Sequence, residues 1–276
     1  MTFSIVARQG QGYGVAVASK FLAVGAVVPA ARLGVGAVAT QSYARIAYLD
    51  ELLGRLGSGE RADEALAAAT ALDDGRETRQ VGVVGAGSAA TFTGSECNAW
   101  AGGVARDDGD TAYAIQGNIL TGPEVVESME RAWHDTAGQP LARRLLAALV
   151  AGDAAGGDSR GRQSAAMYAV EPGSGYDACG VLADLRVDDH ADPVTELGRL
   201  LSDWEMYFGK PEDVSPLEGE LADEVRGRLA AAGFADADAD VSTALADWAG
   251  TANYEARLSQ EGIDRRVLEA LRAATD

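Results

Sequence analysis

Apolar residues recur in a strand-like pattern from Phe3 to Ala7, break at the turn-forming stretch Gly10 to Gly14 (GQGYG), and resume from Val15 to Ala18. That pattern is a β-hairpin, and it sets the first residues of the chain at one end of a sheet. Further apolar runs bounded by glycine predict more strands at Gly34 to Thr40, Gln80 to Val84, Ala89 to Thr93, Thr111 to Gln116 and Ser164 to Val170. Apolar residues at helical spacing predict helices over Ile46 to Leu56, Ala62 to Ala71, Glu124 to Trp133 and Leu141 to Val150, the third behind a Gly-Pro start. Strands and helices alternate too loosely for a nucleotide-binding βαβ repeat, so a layered sheet-and-helix domain fits better.

Composition shifts near His190. Asp192 and Pro193 open a helix expected to end at Leu201. Leu217 to Ala274 reads as helix, acidic loop, helix, loop, helix, with Leu221, Val225 and Leu229 four apart. The expected organisation is a main domain over 1–190, a linker with a short helix over 191–216, and a small helical domain over 217–276. A chain of 276 residues, 47% hydrophobic and 24% charged, has the apolar material for one substantial core and an appendage.

A formal net charge of -19 argues against nucleic acid or an anionic membrane as partner, because both require clustered Lys and Arg. The acidic run ending at Asp240 lacks EF-hand spacing and reads as a solvated face. Two cysteines, Cys97 and Cys179, and two histidines, His134 and His190, are too scattered for a disulfide framework, a zinc site or a Ser-His-Asp triad. No metal or other cofactor is expected, and the glycines of GVGAV and GQGYG lack the third member of a dinucleotide fingerprint. No basic-then-apolar leader opens the chain, so a cytoplasmic location is expected. A homodimer is the default expectation for a cytoplasmic protein of this size.

The second residue is a threonine. A hydroxyl needs a base before it can attack a carbonyl, and an N-terminal threonine carries one in its own α-amine, whose pKa lies near 7.7–8.0. Thr2 qualifies only if Met1 is removed, which a small second residue permits. The hairpin returns Ser19 and Lys20 towards the same sheet end. Lys20 can tune the amine or merely cap a strand, and because alternation turns Ser19 and Lys20 to opposite faces, only one of them is expected to reach Thr2. Asn118, just past a strand in QGNIL, is a candidate donor to a developing oxyanion and equally a turn asparagine. Asp158, Arg160, Arg162 and Gln163 crowd a glycine-flanked loop. They either recognise a carboxylate-bearing substrate or form an Arg-Asp bridge that stiffens the loop. Thr40, Gln41 and Ser42 make another polar strand end that can line the same pocket.

The run MTFSIVAR, the stretch GVAVASKFLAVGAVVPAARLGVGAVATQSYA, the segment AIQGNILTGPEVVESM and the loop GGDSRGRQSAAM together resemble an uncharacterised bacterial family grouped with the N-terminal-nucleophile (Ntn) hydrolases. EGELADEVRGRLAAAGF and DWAGTANYEARL resemble the peptidoglycan-binding domain often appended in that family. The resemblance implies an α+β fold, an Ntn-hydrolase-like αββα four-layer sandwich followed by a small all-α domain. It also implies Thr2 as nucleophile, with Lys20 and Asn118 in support and Ser19, Gln41, Asp158, Arg160, Arg162 and Gln163 binding a small amide substrate. The competing expectation is a non-catalytic Ntn-like scaffold that serves as a module binding glycan, a peptidoglycan fragment or another protein.

Overall fold

The computed structural model describes residues 2–234 and 240–276. The expected hairpin is strand β1 (Thr2–Gln9) and strand β2 (Gly12–Ser19), paired antiparallel with Phe3 opposite Ala18. Both lie inside a six-stranded antiparallel sheet with β7 (Gly102–Asp107), β8 (Thr111–Asn118), β9 (Ser164–Val170) and β10 (Val181–Val187), in the order β10-β9-β2-β1-β8-β7. A second antiparallel sheet runs β3 (Pro29–Arg32), β4 (Gly36–Ser42), β5 (Arg79–Gly85) and β6 (Ser88–Thr93).

Four layers result. Helices α1 (Ala47–Gly57) and α2 (Ala62–Ala71) cover the four-stranded sheet, burying Tyr48, Leu52, Leu53 and Leu66 against Val38, Val81 and Val83. Helices α3 (Glu124–Asp135) and α4 (Leu141–Ala154) pack on the six-stranded sheet over β1, β2 and β8. The inner faces of the two sheets meet, β4 and β5 against β1 and β8. Strand alternation explains the division. Phe3 and Ile5 are fully buried on the helix side, whereas Val6 joins Val15, Val17, Ala37, Ala39 and Val84 between the sheets.

Three strands, β3, β7 and β10, lie outside the expected set, and all three are sheet edges; of these, β10 does alternate, with Ala183, Leu185 and Val187 buried. Edge strands are short, charged or interrupted by Gly and Pro, which blurs alternation; here Pro29 opens β3 and Gly102–Gly103 open β7.

The chain divides into two compact units, 1–201 and 202–276, and the division falls within helix α5 (Pro193–Phe208). The helix expected to stop at Leu201 therefore continues for two more turns, along which the Trp204 and Phe208 rings pack at a tilt of 57° with centroids 4.5 Å apart. In the second unit, α6 (Gly219–Ala231), α7 (Val241–Thr251) and α8 (Arg265–Thr275) close a core of Val225, Leu229, Leu245, Trp248, Ile263 and Leu271. A deeply buried ion pair joins Arg257 Nη1 to Asp264 Oδ2 at 2.8 Å, and Asp264 Oδ1 also caps α8 by accepting from Arg266 N and Val267 N. Asp240 caps α7 through Thr243 N. The rest of the acidic run read as a solvated face, residues 235–239, lies outside the described residues.

Candidate functional site

Sheet register builds a polar row at one end of the six-stranded sheet. Thr2 opposes Asn118 on β8, and Ser19, the last residue of β2, opposes Ser164 on β9. Directly opposed side chains share a face, and Thr2 Oγ1 lies 3.1 Å from Ser19 Oγ. One pleat further in, Ser4 opposes Gln116 on the same face.

From the other sheet Gln41 and Gln80 meet this row. Gln41 Nε2 donates to the Thr2 carbonyl at 3.1 Å and to Gln80 Oε1 at 2.8 Å, while Gln41 Oε1 accepts from Ser4 Oγ at 2.7 Å. Gln116 Nε2 donates to Ser4 Oγ at 2.7 Å. Gly82 makes room for this bridge, since a Cβ there would overlap the Gln116 amide. Gln80 Nε2 donates to Gly117 O at 2.8 Å and Thr93 Oγ1 at 2.9 Å. That fixes Gln80 Oε1 as the acceptor and hence Asn118 Nδ2, 2.9 Å away, as its donor. The reverse orientation of Asn118 would set two oxygens against each other. Asn118 Oδ1 is left buried with no hydrogen-bond partner among the described residues, an arrangement costly enough to point to function.

A cavity of about 350 Å³ opens over this row. Its lining is polar at Thr2, Gln41, Asn98, Asn118 and Arg160 and apolar at Phe21, Val24, Val27 and Val28. Two strand ends reach it in left-handed backbone, Ser42 at φ 67° and Ile119 at φ 51°. A β-branched residue there is strained by about 1–3 kcal/mol and persists only where its surroundings hold it. Ile119 is held by its N–H to Asn98 O (2.9 Å) and its carbonyl to Ser159 N (3.3 Å).

Tyr43 is supported from behind. Arg79 Nη1 donates to its carbonyl at 2.7 Å, and Arg79 Nε donates to Asp73 Oδ2 at 3.0 Å. Tyr48 O–H donates to the same carboxylate at 2.8 Å. Burial alone would raise the Asp73 pKa, but hydrogen bonds from Arg79, Tyr48 and Gly75 N outweigh it and hold the group below its usual value. Burial, then the bond to Asp73, pushes Tyr48 up to about 12.

The structure therefore gathers Thr2, Ser19, Gln41, Asn118 and Arg160. Asp158 stands behind them, its Oδ2 accepting from Lys20 N at 2.7 Å and its Oδ1 from Arg160 N at 2.9 Å; it also pairs with the Arg160 guanidinium at 3.3 Å. Of the two loop readings, the Arg-Asp bridge is thus present. Three expected residues are elsewhere. Lys20 lies past the end of β2, opposite in facing to Ser19, and its Nζ donates to Arg162 O at 3.2 Å in an exposed position. Arg162 turns to Asp153, with Nε 2.8 Å from Oδ1. Gln163 contributes its main-chain carbonyl to His190 N at 2.8 Å and does not line the cavity. Ser4, Gln80, Gln116 and Asn98 were not anticipated. The available signal was a polar residue within an apolar strand, as in FSIVA, QVGVV and AIQGN.

These features define a mixed α/β protein of two facing antiparallel sheets with a polar cavity at one end, followed by a helical unit. The family model described as "Family of unknown function (DUF1028)" matches residues 2–197, and the chain belongs to that family. A second model, described as "Putative peptidoglycan binding domain", matches residues 207–271. The crystal structure of protein SPO2555 from Silicibacter pomeroyi, of the same DUF1028 family, is similar at 30% identity and a TM-score of 0.65, over 81% of this chain and 92% of that one. No curated protein matches the chain in sequence.

Proposed function

We propose that this chain is an Ntn hydrolase that cleaves a small amide C–N bond with Thr2 after loss of Met1, and that its four layers are an Ntn-hydrolase-like αββα sandwich. The observation that carries the reading is the position of Thr2 Oγ1. It stands at the first residue of central strand β1, only 6% exposed, in the wall of the cavity and 3.1 Å from Ser19 Oγ.

Removal of Met1 converts the Thr2 main-chain nitrogen into a free amine, able to take the proton from Oγ1 as that oxygen attacks a carbonyl carbon. The tetrahedral intermediate collapses to an ester on Thr2, and the proton passes from the amine to the departing nitrogen. Water, activated by the same amine, then cleaves the ester. Ser19 orients the hydroxyl, and Gln41 holds the Thr2 carbonyl and so fixes the strand end against recoil.

Intact mass of the untagged chain, with a screen of chromogenic amides, tests this. The expected result is a mass lacking Met1 and measurable hydrolysis, lost when one extra residue ahead of Thr2 blocks trimming. Full activity with Met1 retained contradicts it.

A second role is supported by the match over residues 207–271: the C-terminal unit binds a peptidoglycan fragment. Titration of the full chain with muropeptides should then perturb the fluorescence of Trp204 and Trp248.

A further inference from the structure

We infer that Arg160 selects the ligand of the cavity beside Thr2, and that this ligand is a small amide bearing a carboxylate and an apolar side chain, the chemistry of an N-acyl amino acid. This deepens the reading of Thr2 as nucleophile and rests on it for the identity of the reacting bond, whereas the preference for an anion has its own basis.

Charge comes first. Among the described residues that line the cavity, Arg160 is the one with a charged side chain. The protein as a whole carries a formal net charge of -19 and repels anions. Affinity for an anion therefore has to come from a local cation.

Hydrogen bonding places the guanidinium. Asp158 Oδ2 accepts from Arg160 Nη2 at 3.3 Å and from Lys20 N at 2.7 Å. Lys20 stands in the chain between Ser19, whose Oγ is 3.1 Å from Thr2 Oγ1, and Phe21 of the cavity lining. One carboxylate oxygen thus ties the guanidinium to the end of β2 at which Thr2 lies. The bridge leaves the cation within reach of a ligand, since the Arg160 side chain is 46% exposed and that of Asp158 only 3%. A planar guanidinium matches the carboxylate of a ligand in a bidentate pair.

The surroundings are held before any ligand arrives. On either side of Arg160, Ser159 N donates to Ile119 O at 3.3 Å and Gly161 N to Asp158 O at 2.9 Å. Ser164 Oγ donates to the Phe21 carbonyl and accepts from Val24 N at 3.1 Å. A site tied down in this way loses little freedom on binding.

The rest of the lining decides what accompanies the carboxylate. Phe21, Val24, Val27, Val28 and Tyr43 all contribute to it, and Phe21 and Tyr43 are 52% and 63% exposed. An apolar side chain on the ligand would bury those rings. At roughly 30 Å³ for each water-sized group, a cavity of about 350 Å³ holds about a dozen heavy atoms, the size of a short acyl group on one amino acid.

The test uses the full-length Thr2→Ala chain, which removes turnover, titrated by calorimetry at neutral pH with N-acetyl-L-valine and with N-acetyl-L-valinamide. The probes share a shape and differ in a carboxylate against a neutral amide. The anion should bind at least about tenfold more tightly, about 1.4 kcal/mol. Adding Arg160→Gln should abolish that ratio and Arg160→Lys should keep part of it. Arg162→Gln, which removes a guanidinium turned to Asp153, should leave it unchanged. Equal binding, no binding of either probe, or a ratio that survives Arg160→Gln overturns the inference, the last by assigning the preference to the chain-terminal amine. A preference that follows Arg160, with no amide hydrolysed by the wild type, would leave the inference standing and remove the nucleophile. Hydrolysis with equal binding would do the reverse.

Discussion

The space between the two sheets has two ends that are built on different rules. Towards the middle of β1, Val6 meets Val15, Val17, Ala37, Ala39 and Val84, a dry contact specified by volume. Two residues nearer the chain start, the same strand face carries Ser4 and then Thr2, and the partners become Gln41, Gln80, Gln116 and Asn118, all nearly as buried as the valines. There the contact is specified by pairing each donor with an acceptor, and one acceptor is left over where the cavity opens. A protein gains little stability from such an arrangement compared with more valine. Its place in the wall of the cavity is what directs attention to Thr2.

The largest effect that would sharpen this contrast is at its hub. Gln80→Leu leaves the Asn118 amide N–H without its acceptor and removes the acceptor that Gln41 Nε2 uses, and should cost about 2–4 kcal/mol in urea unfolding; a cost below 1 kcal/mol would mean that the polar end is not held by this network. At the dry end, Val15→Thr keeps the shape and adds a hydroxyl with nothing to bond, for an expected loss of about 1–3 kcal/mol. If that hydroxyl were tolerated freely, the two ends would not differ as described.

Smaller effects mark the boundary of the polar end. Ser19→Ala should lower kcat about tenfold through one neutral hydrogen bond, about 1.4 kcal/mol, with an unchanged melting temperature. Loss of fold with loss of rate would instead make Ser19 a packing residue. Tyr48→Phe, behind the cavity rim, should cost about 1 kcal/mol at neutral pH. The wild type, whose Tyr48 is raised in the folded state from 10.0 to about 12, keeps its full stabilisation below pH 10 and loses it as pH rises towards 12, because the unfolded chain gives up that proton first. Tyr48→Phe should flatten the alkaline limb, and an unchanged limb would place the titration elsewhere.

Much of the architecture was legible because central strands and amphipathic helices carry strong periodicity. The hairpin over Phe3 to Ala18, the strand over Thr111 to Gln116, which runs two residues further to Asn118, and helices α1 to α4 all follow from apolar spacing. Among the edges, β3 and β7 bury too little of either face to show alternation, whereas β6 follows from its apolar run and β10 does alternate, with Ala183, Leu185 and Val187 buried and Asp184 and Arg186 exposed. At the site, Thr2, Ser19, Gln41 and Asn118 converge because strand ends that pair in register must meet, which sequence order suggests. Alternation allows only one of Ser19 and Lys20 to reach Thr2, and it is Ser19; Arg162 was misplaced because its carboxylate partner, Asp153, lies on a different element. Gln80 and Gln116 went unnoticed because a single polar residue in an apolar strand looks like noise until a facing strand supplies its partner.

The central claim is that the Thr2 hydroxyl performs the chemistry, and the rates of Thr2→Ser and Thr2→Ala on one hydrolysed amide test it directly. Both variants keep a small second residue and so permit removal of Met1. The account expects Thr2→Ser to retain activity within about a hundredfold and Thr2→Ala to lose at least about a thousandfold, about 4 kcal/mol of barrier, with melting temperatures near that of the wild type. An active Thr2→Ala chain would contradict it.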